Sequence, residues 1–113
     1  MSLDISLYFE ECEHCGQEGE VYTSNITHNL VKMAEAAGIY KAVWKPEESG
    51  YEIAEELIEP LTRGIAAMKA DPEHFKKFNA ANDWGKYEDF LPWLEEYLHA
   101  CQAYPRALIS VSR

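Results

Sequence analysis

A chain of 113 residues is about one domain long, since single domains commonly run ~100 to 150 residues, and residues 1–113 are expected to form one unit rather than a two-domain enzyme. Its 47% hydrophobic content, with three Trp, seven Tyr and four Phe, supplies a real core and excludes disorder throughout. Ten basic against twenty acidic residues leave a formal charge of -10, which repels phosphate backbones and anionic lipid, so nucleic-acid and membrane partners are not expected.

No apolar run approaches the ~20 residues that span a bilayer, and Met1–Glu20 has neither the basic start nor the long apolar centre of a signal peptide. A cytoplasmic location is the expectation. Leu3, Ile5, Leu7 and Phe9 alternate with polar residues, the period of a strand with one buried face. Cys12–Glu20 carries two glycines and no Lys or Arg, and Val21-Tyr22-Thr23 follows, so the N-terminus reads as a hairpin with a long acidic loop.

The period then becomes helical. Leu30, Met33, Ala34 and Ala37 share a face ahead of Gly38, which predicts a helix over 26–37 ended by a C-terminal glycine. Ile39–Glu48 reads as a connector. Ser49 and Glu52 have the spacing of a capping box before the stripe Ile53, Leu57, Leu61, Ile65 and Met68, with Pro60 predicting a kink or two abutting helices. Asp71-Pro72-Glu73 starts a short helix to about Phe78. After the turn Asn79–Gly85, Phe90, Leu91, Leu94, Tyr97, Leu98 and Cys101 mark a last amphipathic helix, and Ala107, Ile109 and Val111 alternate as a final strand. The predicted class is α+β, a small antiparallel sheet of the N-terminal hairpin plus the C-terminal strand, with about four helices on one face.

Cys12-Glu13-His14-Cys15-Gly16 is the local motif with a metal mechanism: two thiolates three residues apart on a tight turn can meet one ion. A closed zinc site needs four ligands. His28 is the favoured third on the expectation that the hairpin returns it to the turn, with His14, and more remotely His99 or Cys101, as other candidates; Cys101 also fits an apolar helix stripe as a packing residue. Zinc and two free thiols stand as equal readings, and a redox role is disfavoured because the motif does not precede a helix. Residues 1–31 contain six acids and no Lys or Arg, a field that attracts a cation and raises an unliganded thiol's pKa.

Ser24-Asn25-Ile26-Thr27-His28-Asn29 places five polar side chains at the predicted strand-to-helix junction. Helix capping and turn hydrogen bonds explain them. The competing reading is a ligand pocket made by Asn25, Thr27, His28 and Asn29 beside exposed helix amides. Trp84-Gly85-Lys86-Tyr87 reads as a sharp turn whose aromatics clamp back onto the core, Trp44 and Trp93 as core, and His74 and His99 as surface residues.

The opening Asp4-Ile5-x-Leu7, the central Asn25-Ile26-Thr27-His28-Asn29-Leu30, and Asn82-x-Trp84-Gly85-x-Tyr87-Glu88 before a helix with Ala100-Cys101 together resemble a small family of bacterial and phage-encoded proteins of undefined function. The resemblance covers nearly the whole chain and implies a phage or prophage setting, without an established chemistry. The residues show no nucleophile paired with a base at recognisable spacing and no phosphate loop. The leading expectation is therefore a small acidic module that binds another protein, with a structural zinc as an optional staple. The alternative is a small-ligand binder or metal-dependent hydrolase built on the Asn25–Asn29 cluster, since zinc held by two cysteines and a histidine keeps a position open for water.

Overall fold

A computed structural model describes residues 2–9, 19–79 and 85–113. The Cys12–Cys15 turn, His14, Asn82 and Trp84 therefore lie outside the described residues. Leu3, Ile5 and Leu7 are each 0% exposed while Asp4 between them faces solvent, so the period-two pattern forms strand β1, Ser2–Phe9. It pairs antiparallel with β2, Gly19–Thr27, from Ser2 opposite Thr27 to Phe9 opposite Gly19. The register shifts between Leu7 and Tyr8, where Tyr22 and Glu20 are the successive partners and Val21 is the extra residue of a bulge.

The final strand, β3 (Leu108–Ser112), pairs antiparallel with the other side of β1, giving the sheet order β2-β1-β3. The mixed α+β class and the three-stranded antiparallel sheet follow the sequence expectation. One face carries Leu3, Ile5 and Leu7 with Ile109 and Val111 against the helices. The other carries Asp4 between Asn25 and Ser112, and Ser6 between Thr23 and Ser110, a small-polar surface.

Five α-helices are described: α1 (Val31–Ala36), α2 (Tyr40–Trp44), α3 (Glu55–Ala70), α4 (Pro72–Lys76) and α5 (Tyr87–Ala103). The predicted helix over 26–37 is shorter than expected. β2 runs on to Thr27 because Asn25 and Ile26 still alternate between the two sheet faces, and a 3-10 turn, His28–Leu30, precedes α1. The end of α1 is as expected: Gly38 has φ +77, its N–H bonds Glu35 O, and Ile39 N–H bonds Ala34 O, closing a Schellman motif over buried Ile39.

The connector contains α2, which the sequence reading missed. Ala42, Val43 and Trp44 are consecutive buried residues, and a five-residue helix is too short to show an amphipathic period. The capping box at Ser49 is a correction. Gly50 turns left-handed at φ 77, α3 begins only at Glu55, and the cap comes from inside the helix, where Glu56 Oε1 accepts the N–H of Glu52 at 2.8 Å and of Ile53 at 3.1 Å. α3 then runs unbroken through Pro60, rather than as two helices. Asp71 caps α4 as expected, accepting the N–H of His74. On α5, Phe90, Leu94, Tyr97 and Cys101 form the buried stripe, and α3 packs along this helix.

Among the described residues, no helix is long and apolar enough to cross a membrane.

Candidate functional site

The strand assignment splits the polar cluster between the two faces of the sheet. Asn25 points to the outer face, where its Nδ2 donates to Asp4 Oδ1 at 2.6 Å and to Ser2 Oγ at 2.9 Å. It ties two strands together rather than capping a helix. Thr27 does cap: its Oγ1 accepts the N–H of Asn29 at 3.2 Å at the entry to the 3-10 turn. Ser24 faces the opposite way and accepts the indole N–H of Trp93 at 2.8 Å, an inward bond from α5.

His28 is half-buried and turns toward Trp44, whose Nε1 donates to His28 Nδ1 at 2.9 Å. An accepting Nδ1 assigns the imidazole proton to Nε2. Gly85 seals this corner. With φ +120, an added Cβ there would stand 3.1 Å from Asn29 Cβ and 3.3 Å from both Leu30 and Thr27, so the chain after Trp84 lies directly on the 27–30 turn. Tyr87, two residues on, is clamped to the core as expected: its hydroxyl donates to Met68 O at 2.9 Å and its N–H to Asn79 Oδ1 at 2.8 Å.

The register sets His28 far from the residues that flank the segment 10–18, while Cys12 and Cys15 themselves lie outside the described residues. Thr27 pairs with Ser2, whereas Phe9 and Gly19, which flank residues 10–18, pair at the other end. Eight residue steps separate Gly19 from Thr27, about 26 Å of strand at ~3.3 Å per residue. Among the described residues, no three His, Cys, Asp or Glu side chains are grouped to hold a metal ion. Cys101 is buried in the stripe of α5, and burial pushes its thiol up to about 12, the property of a packing residue.

The pairing also exposes a surface that the sequence did not single out. β2 is an edge strand, and among the described residues its backbone from Gly19 to Ile26 bonds only to β1. The edge at β3 is partly covered, because Ile109 N–H bonds Glu52 O at 3.1 Å and Leu108 bridges to Ile53. β2 contains no proline and no lysine, the usual residues that blunt an edge.

A groove of about 700 Å³ lies between Tyr22 of β2 and the helices α3 and α5, lined by Ile65, Lys69, Glu95, Glu96, His99 and Tyr104 among others. Tyr22 stacks on Tyr97 at 6.0 Å between ring centroids, and the hydroxyl oxygens of both are buried without a hydrogen-bond partner. Each such group costs ~1 to 3 kcal/mol. Burial holds both hydroxyls above their ordinary pKa, the nearby Ser24 hydroxyl offsetting part of the effect at Tyr22. Lys69 is engaged with Glu95 at 3.1 Å, leaving Glu96 to add further negative charge to the groove wall. Comparison with protein families, with curated proteins and with solved structures gave no match to this chain.

Proposed function

We propose that this chain is a small acidic interaction module, working in the cytoplasm, that binds a basic surface of another protein. The observation that carries this reading is the distribution of charge. Among the described residues, at least six of the ten basic side chains, Lys45, Arg63, Lys69, Lys76, Arg106 and Arg113, already lie within 4.0 Å of a carboxylate of the same chain. The twenty acids outnumber the bases two to one, and the surplus negative charge is free to meet a partner. Fields of this kind steer encounter with basic proteins and oppose phosphate backbones.

Asn25, Thr27 and His28 each make a bond within the fold, which supports a structural role for them beside the acidic surface. A phage or prophage setting rests on the sequence resemblance alone. Zinc at Cys12 and Cys15 is a separate proposal, tested by elemental analysis of protein prepared without chelators; metal-free protein would remove it. The module reading is tested by fluorescence anisotropy of the intact chain with a lysine-rich peptide and with duplex DNA. The peptide is expected to bind, more weakly as salt rises, while the duplex does not. Tight duplex binding would overturn the reading.

A further inference from the structure

We infer that the outer edge of β2 accepts an extended, basic segment of the partner protein as a fourth strand, with alternate side chains of that strand entering the groove between β2 and α5. This rests on the acidic-module reading and specifies the site and the form of the partner. The first observation is the edge itself: among the described residues, the outward N–H and C=O groups between Gly19 and Ile26 have no backbone partner, and a strand laid antiparallel or parallel beside β2 satisfies them.

The second observation is that Tyr22 of β2, on the helix side of the sheet, lines the groove together with α5. Side chains of an added strand alternate between faces, so every second one, ~6.6 Å apart, points to the helix side and over this groove. There the incoming chain meets apolar surface from Tyr104, which is 39% exposed, beside the Tyr22 ring and Ile65. Backbone bonds to the edge supply general affinity, and pockets for alternate side chains supply selection.

Charge decides the occupant. Glu20 lies on the edge strand and Glu95 and Glu96 on the groove wall, with Lys69 already held by Glu95. A second copy of the chain would bring an equally acidic edge, at -10 per chain, against this one. A segment whose groove-side positions, every second residue, include both basic and apolar side chains complements the wall and the apolar floor together.

The test uses the intact chain, isotope-labelled for amide exchange, and as the probe a synthetic extended peptide in which lysine and valine take turns at every second position, so that both face the groove. Two further probes carry N-methyl groups on one or the other set of alternate residues, and oligolysine of equal charge is the comparator. Strand addition predicts that alternate amides between Gly19 and Ile26 exchange about tenfold more slowly or better on binding. It also predicts that methylating one set of peptide residues abolishes binding while methylating the other leaves it, because a strand presents only one edge to β2. Glu96→Lys, at an exposed position, should weaken binding several-fold. Equal binding of oligolysine, with no protection in β2, would overturn strand addition and leave the acidic-module reading standing. Failure of every basic probe would overturn both. Protection of β2 in the free chain that grows with its concentration would assign the edge to a second copy and overturn the peptide proposal.

Discussion

His28→Ala separates a residue that builds the fold from one that binds a ligand. Trp44 is 1% exposed, and the acceptor given to its indole N–H is His28 Nδ1, at 2.9 Å. Removing the imidazole leaves that donor buried without the bond, which costs ~1 to 3 kcal/mol. The lost side chain was itself only half-buried, so its packing adds little. A total near 2 kcal/mol corresponds to a fall in Tm of roughly 8 °C for a domain of this size. Urea denaturation followed by helical circular dichroism measures the change without relying on tryptophan fluorescence. The partner assignment is checked in a Trp44→Phe background, where the indole N–H is gone and the cost of His28→Ala should shrink by ~1 to 2 kcal/mol. The same values are expected with and without a chelator. A variant within ~0.5 kcal/mol of the parent would refute the reasoning, as would an equal cost in both backgrounds or a cost seen only with metal present.

Gly64→Ala gains ~1 kcal/mol of helix propensity but sets a Cβ into Ile39 Cγ2, so that Ile39, a core side chain 1% exposed, must shift; the net is a loss of roughly 1 kcal/mol that reverses sign in an Ile39→Ala background, as denaturation would show. Glu56 accepts two backbone N–H groups, which hold its carboxyl below its ordinary range, so its contribution is full above the unfolded-state pKa and is lost as pH falls through the lower folded value. Stability curves from neutral to acidic pH should therefore fall less steeply for Glu56→Gln than for the parent, and identical slopes would count against the cap. Cys101, buried with its thiol pushed up to about 12, should resist alkylation at neutral pH until the chain unfolds, and peptide mapping that finds it modified in native protein would contradict the packing role.

The elements legible in the sequence are those whose pattern is local. Leu3, Ile5 and Leu7 alternate because one face of a sheet is buried, Gly38 marks a left-handed helix end, and Asp71-Pro72 caps a helix with an acceptor and a preset φ. The extent of β2 was not legible, because its outer face is solvated and Asn25 and Thr27 look like turn residues until Asp4 and Ser2 are placed opposite them. Ser24 reads as part of the helix-capping cluster, whereas its partner, Trp93, lies 69 residues away. Thr27 was read correctly as a cap, although of a 3-10 turn rather than an α-helix. The candidate edge and groove are properties of strand order and of helix packing across the sheet, and no spacing of residues along the chain encodes which strand is left without a neighbour.

Affinity capture from cell lysate with the intact chain, at low and at high salt and read by mass spectrometry, bears most directly on the acidic module. Exposed charges are screened beyond ~8 Å at physiological ionic strength, so a charge-steered complex weakens steeply as salt rises. The expected result is a set of basic proteins retained at low salt and lost at high salt. Partners without basic character, retained equally at both, would contradict it and point to an apolar interface instead.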